Sequence, residues 1–548
     1  MRYLILLSAL LLFNSLFSQG TEYKDSPKLI VGVVVDQMRY DYLSRFWDRF
    51  GEDGFKRLVK EGFNFKNNHI NYLPTSTGPG HASIFTGTSP MNHGIIGNSW
   101  FDKKLGEMVY CAGDDSVTPV GTSSPAGKMS PHRMKPTTFA DENRIHTQFR
   151  GKTIGVSIKD RGAILPAGHT ANAAYWFHGE DEGKFISSSY YFKEMPEWAK
   201  KFNNSGRVEG YFRSWAPLNS LESYKESGGD ENLFEGGFKG KKTATFPYDL
   251  KKLRKFNGNF DVLVQTPFGN DLTLEFAIEA IKGEQLGQDE HTDVLTLSFS
   301  GTDKIGHNFG VNSMEMEDAF IRLDLNIADL LNFLDNHVGK GEYTLFLTAD
   351  HGGIHVPAYL ESIKAPGGYF NMASFRTALF AFAEKTFEVE NLIQNISNYQ
   401  VFLDYDLIES TGFEREQVEK KLGLFILTYN KVDQVFTRTQ LLGSTYEHGL
   451  GQPAQLGFNQ KRSGDLLFIL DPGNVAYKAT GSTHGSGLSY DTHVPLIFYG
   501  KQIPTGNTNS RSQITDIAPT VSSILGISFP SLATGSPLRV MLDTKNKE

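Results

Sequence analysis

Three of the most apolar stretches in this chain each run into an aspartate, and two of them also deliver a histidine. LIVGVVV leads to Asp36, DVLTLSFSGT to Asp303 with His307 four residues on, and YTLFLTA to Asp350–His351. Short β-branched runs of this kind read as strands buried on both faces, the habit of parallel sheets. Open α/β sheets bind ligands at the carboxyl ends of their strands. Three carboxylates and two imidazoles brought to one sheet edge would make a metal site, best suited to two zinc ions.

The intervening segments fit the same class. DYLSRFWDRFGEDGFKRLVKEG, TTFADENRIHTQFR, LTLEFAIEAIKG, EDAFIRLDLNIADLLNFLDNHV and DIAPTVSSILGI carry helical periodicity. KTIGVSI, DLLFIL and VPLIFYG have strand character, and NSWFDKKLGEMVYC reads as a hairpin. This alternation predicts an α/β fold with a mostly parallel central sheet and helices on both faces. The pattern fades over about 198–268 and about 365–480, which read as insertions building a lid over the carboxyl edge. Residues 19–548 otherwise read as a single catalytic domain.

Arg2, the apolar stretch after it and small polar residues near Ser18 read as a signal peptide over residues 1–18. Leu16 is not the small residue such a cleavage site prefers. The expected destination is the periplasm or the outside of the cell. The stretch is short of the roughly 20 residues a membrane span needs, and no later segment qualifies. Cys111 is the only cysteine, so no intrachain disulfide can form. The formal net charge is −8, with no basic stripe of the kind nucleic acid requires. A small-molecule substrate and a monomer are the expected partnership.

Asp303 and His307 are spaced to share one face of a helix. Asp350 and His351 are adjacent, so the strand end must bend for both to reach one ion. His484 lies in the Gly/Ser-rich GSTHGSGLSYD, whose flexibility lets an imidazole approach a preformed site. With Asp36 the set is three aspartates and three histidines, and a catalytic zinc takes about three protein ligands plus an open position. Singly, a strand-end Asp is usually a cap and a lone His usually structural; the joint pattern carries the weight. His81, His93, His355 and His493 read as packing or supporting residues.

TSTGPGH places Thr77 before a Gly-Pro-Gly turn that feeds a helix, whose N-terminus favours an anion. The competing reading is a plain cap by Thr75, Ser76 or Thr77. Coordination to zinc would stabilise the alkoxide that threonine otherwise holds protonated, making Thr77 a metal ligand as well.

Asp36, TSTGPGH, GTDKIGH, TADHGG and THGS together resemble the alkaline phosphatase superfamily of bimetal phosphotransferases, over residues 36 to 484. GNSWFD and SIKDRGAILPAGH resemble its PafA-type branch, periplasmic monoesterases with a threonine nucleophile. The resemblance implies that Thr77 is the nucleophile, that Asn98 binds a phosphoryl oxygen, and that Lys159 and Arg161 clamp the transferring group. It implies one zinc on Asp303, His307 and His484 and another on Asp36, Asp350 and His351. On an extended segment Lys159 and Arg161 point the same way and Asp160 the opposite way.

Two zinc ions, three aspartates, a Thr77 alkoxide, Lys159 and Arg161 sum to about +2, which matches a phosphate monoester dianion. A diester has one negative charge and a second bulky group, so a nucleotide pyrophosphatase/phosphodiesterase is the alternative. Sulfatases need C/S-x-P-x-R, which TSTGPGH lacks. The export signal disfavours a phosphoglycerate mutase. A protein that kept the fold without catalysis should have lost ligands, and all six positions are present.

Overall fold

The computed structural model describes residues 26–543, so the signal-peptide reading lies outside the described residues. A ten-stranded sheet forms the centre. Its middle is the Leu29–Val35 strand, paired in parallel with Asp293–Phe299 on one side and Tyr343–Thr348 on the other. Thr153–Ser157 and Ala173–His178 continue the parallel run beyond Asp293–Phe299. Both flanks turn antiparallel, through Leu496–Gly500 and Lys184–Ser188. Every residue of the four innermost strands is buried. Uninterrupted apolar runs suit that position because neither face meets water.

Helices surround the sheet. Thr77–Thr86 and Asp160–Ala167 pack on each other, as do Phe268–Glu284 and Met314–Leu334. NSWFDKKLGEMVYC folds as expected into a hairpin, Ser99–Asp102 against Glu107–Tyr110. Thr138 and Asp141 form a reciprocal cap at the start of the Phe139–His146 helix. Among the described residues, no helix is long and apolar enough to cross a membrane.

The two irregular segments differ in kind. Within residues 198–268, Trp215 and Tyr248 pack on Phe309 at the end of the Gly301–Phe309 helix, Phe246 packs on both of them, and all three belong to the main core. Within residues 365–480, four antiparallel strands in the order Ile393–Ser397, Gln400–Leu403, Leu466–Leu470, Val432–Thr437 form a separate sheet. Phe375, Val418, Leu422 and Phe468 give that sheet a core of its own. DLLFIL is therefore a strand of this second sheet.

Candidate metal centre

Four neighbouring parallel strands end at one edge, and each end carries polar residues. Asp36 directly follows Val35, and its N–H extends the ladder by donating to the Phe299 carbonyl (3.1 Å). Asp350 and His351 follow the Tyr343–Thr348 strand in an irregular segment. Asp303 and His307 lie one turn apart on the Gly301–Phe309 helix, as the spacing predicts, with Nε2 3.2 Å from Asp303 Oδ1. Lys159 follows the fourth strand, Thr153–Ser157.

His484 arrives from the Gly-rich loop. Gly481, at φ 72°, faces the His307 carbonyl so closely that a side chain there would collide with it. The His484 ring stacks on His351 with centroids 3.5 Å apart and lies 5.3 Å from the His307 ring. His351 Nε2 is 3.4 Å from Asp36 Oδ1 and 3.7 Å from Asp350 Oδ2. Ligand atoms of Asp36, Asp350 and His351 all lie within 4.8 Å of one another, and so do those of Asp303, His351 and His484. The six expected ligands thus converge, with His351 between the two groups.

The donor set fits metal. Nδ1 of His307, His351 and His484 each faces a backbone carbonyl, of Ser482, Gly352 and Thr75, at 2.8 to 2.9 Å. A carbonyl can only accept, so Nδ1 carries a proton, and in the neutral ring Nε2 is then the atom left with a lone pair. That carbonyl bond is the usual outer support of a ligating imidazole. Asp36 Oδ1, Asp350 Oδ2 and His351 Nε2 are buried without a hydrogen-bond partner among the described residues. Buried polar atoms so left cost about 1–3 kcal/mol each unless something binds them. Carboxylate and imidazole donors without thiolate suit a divalent metal ion.

Burial drives His351 down to about 4 and His484 down to about 3, so both stay neutral, the form that ligates. Burial, reinforced by the Asp350 charge, holds the Asp36 carboxyl above the usual carboxylate range. For Asp303 burial acts the same way but loses to His307 and Lys159, which hold it well below that range. The Lys159 ammonium sits between Asp36 Oδ2 (2.7 Å) and Asp303 Oδ2 (2.6 Å). Burial would lower its pKa, yet those two carboxylates outweigh it and keep the charge on.

Thr77 is the first residue of the Thr77–Thr86 helix, and its hydroxyl lies 3.4 Å from Lys159 Nζ. The Gly-Pro-Gly sequence is the helix's first turn, not a turn ahead of it. Proline is tolerated there because its missing N–H would have no helical partner. Gly80 packs against the backbone of Asp350, where a side chain would collide with the carbonyl. Asn98 Oδ1 accepts from the Gly78 N–H at 2.7 Å, which leaves the amide NH2 as its donor group.

The extended reading of Lys159–Arg161 is corrected. Lys159 caps the Asp160–Ala167 helix and Arg161 lies in its first turn. Asp160 does not point away: its Oδ1 accepts from the Tyr110 hydroxyl at 2.5 Å, and Tyr110 accepts from Arg161 Nη1 at 3.0 Å.

His81 joins the Thr77 carbonyl (2.9 Å) to Ser298 and lies 3.2 Å from Asp350 Oδ2, a supporting place. His93 bonds Ser83, His355 bonds Asn312, and His493 stacks on Tyr40, so none of these three joins the cluster. Sequence reasoning missed Gln37. Held at φ 64°, it donates its N–H to Asp350 Oδ1 (3.2 Å) and its amide to Asp303 Oδ1 (2.9 Å). A left-handed non-glycine residue beside Asp36 is the strain expected at a functional site. Tyr477, whose hydroxyl donates to the His307 carbonyl at 3.2 Å, was missed as well.

With this geometry in place, comparison with known proteins identifies the lineage. Residues 30–494 match the family model described as type I phosphodiesterase / nucleotide pyrophosphatase. The chain belongs to that family, within the alkaline phosphatase superfamily. Over 537 residues it is 43% identical to alkaline phosphatase PafA of Elizabethkingia meningoseptica, covering 97% of this chain and 98% of that one. It is also 43% identical over 545 residues to a Myroides odoratus protein named calcium-transporting ATPase, covering 98% of each. The crystal structure of wild-type PafA superimposes with a TM-score of 0.91 at 43% identity, covering 94% of this chain and 99% of that chain. The expected fold, a largely parallel sheet with helices around it, is that of PafA.

Proposed function

We propose that this protein is an exported phosphatase that hydrolyses phosphate monoesters through a phosphothreonine on Thr77, with zinc in both metal positions. One observation carries the reading. Six candidate ligands gather at one sheet edge, five just past the carboxyl ends of adjacent strands and His484 from a loop, and the Lys159 ammonium bridges that cluster to the Thr77 hydroxyl at 3.4 Å. Near-full-length identity to a relative named alkaline phosphatase supports carrying the activity over. An ATPase, as the Myroides relative is named, also transfers a phosphoryl group, so that name is compatible with the same site.

Asp36, Asp350 and His351 would hold one ion and Asp303, His307 and His484 the other. Zinc, when bound, would supply Lewis acidity favouring the deprotonated threonine oxygen and the departing ester oxygen. Thr77 Oγ attacks phosphorus while the ester oxygen leaves with the bonding electron pair. Water then attacks the phosphothreonine, releasing inorganic phosphate and restoring Thr77. The transition state of phosphoryl transfer is loose, so holding charge and geometry matters more than moving protons. Lys159, Arg161 and the Asn98 amide supply donors to the non-bridging oxygens. The 198–268 and 365–480 segments would form the lid over this edge.

Thr77→Ala tests the mechanism. It should retain zinc and lose at least about 10³-fold in turnover, the scale expected when an activated nucleophile is removed. Undiminished turnover with zinc bound would take Thr77 out of the reaction.

A further inference from the structure

The hairpin that presents Asn98 also reaches the guanidinium of Arg161. Ser99 pairs with Tyr110 across its ladder, and the Cys111 N–H donates to the Asn98 carbonyl at 2.9 Å, so the hairpin's two ends are locked side by side. From one end, Asn98 engages the Gly78 N–H beside Thr77 (2.7 Å). From the other, the Tyr110 hydroxyl accepts from Arg161 Nη1 (3.0 Å) and donates to Asp160 Oδ1 (2.5 Å). The same carboxylate oxygen accepts the Arg161 backbone N–H at 2.5 Å.

The directions of these bonds follow from inventory. A guanidinium only donates and an ionised carboxylate only accepts, so the single phenolic proton goes to Asp160 and the oxygen lone pair to Arg161. Burial pushes the Tyr110 phenol well above its ordinary range, which keeps that proton in place. Arg161 Nε is buried with no partner among the described residues, so the fork is fixed at Nη1 and still has donors to give. A long side chain held at one tip presents its remaining N–H groups in one plane, as bidentate recognition of phosphate requires.

We propose that Tyr110 is a positioning residue for phosphoryl transfer. The Asp160–Tyr110–Arg161 chain fixes the guanidinium against the phosphoryl group, and the hairpin sets its distance from the Thr77 helix. This deepens the reading above and rests on Arg161 contacting the phosphoryl group.

The test compares zinc-loaded wild type, Tyr110→Phe, Arg161→Ala and the double variant, each checked for metal content and melting temperature. kcat/KM on p-nitrophenyl phosphate and inhibition by inorganic phosphate are measured for each. Tyr110→Phe should lower kcat/KM by on the order of 10- to 100-fold, the scale of a misplacement near 1 Å. It should weaken phosphate inhibition in proportion. In the Arg161→Ala background the same change should cost less than about twofold, because partners acting as a unit are not additive. Asp160→Asn, which keeps an acceptor for the phenol, should lose less than Asp160→Ala. An equal Tyr110→Phe loss in both backgrounds, or unchanged phosphate inhibition, would overturn the proposal. If Arg161→Ala itself leaves phosphate inhibition unchanged, the clamp reading beneath it fails instead.

Discussion

Lys159 shows how much one side chain can decide at this site. Its ammonium touches two of the three cluster aspartates and lies beside the Thr77 hydroxyl, with the side chain only 4% exposed. A flat, wider guanidinium cannot take that place, so Lys159→Arg should rescue little of the loss seen in Lys159→Ala. Lys159→Ala and Arg161→Ala should each harm hydrolysis of a monoester dianion more than that of a diester. Equal losses in kcat/KM on both substrates would remove the charge argument for monoester preference. Gln37 makes a second residue-level case. Because its side-chain amide donates to Asp303 Oδ1, Gln37→Ala should weaken zinc binding by about 10- to 100-fold, the usual cost of losing an outer partner. A zinc titration with a competing chelator reads this directly; unchanged affinity would reduce Gln37 to packing.

Among the elements, the strands were the most legible part of the sequence. LIVGVVV, DVLTLSF and YTLFLT could be read because a strand buried on both faces has no alternation to obscure it. Asp303 and His307 were readable for a similar reason, a helical spacing confirmed by the Gly301–Phe309 helix. Lys-Asp-Arg was misread because the three charges look alike whether the segment is extended or opens a helix; only the cap at Lys159 decides. Tyr110 gave no signal, being one of 22 tyrosines whose partners come from distant sequence. Nor does a glutamine announce the left-handed backbone seen at Gln37.

The contact between the 228–248 segment and the Met314–Leu334 helix should carry a pH dependence of its own. Glu235 and Glu315 are buried facing carboxyls, bonded on their outer oxygens by Asn232 and Tyr248. Burial first, and for Glu235 the neighbouring Glu315 charge next, raises both above the usual carboxylate range. Carboxyls raised in the folded state stabilise it at low pH, and stability declines as pH rises beyond the unfolded value near 4.3. Glu235→Gln should flatten that decline in melting temperature on the alkaline side. An unchanged slope would show that the pair is not its source.

At the scale of the whole molecule, the polar edge of one sheet is built from residues spread between Asp36 and His484, so catalysis is a property of the complete fold. The second sheet has a core of its own yet touches the hairpin after Asn98, through Asn398 to the Ser99 carbonyl and Asp465 to Lys103, while the 198–268 segment shares the main core. The family of this chain includes a monoesterase and diesterases by name, and on the proposed reading the cations around Thr77 would separate the two. The most direct measurement is therefore the ratio of kcat/KM for p-nitrophenyl phosphate to that for bis-p-nitrophenyl phosphate, on zinc-loaded protein. The account predicts that the monoester is preferred by orders of magnitude. A diester hydrolysed as well as the monoester, or better, would contradict it.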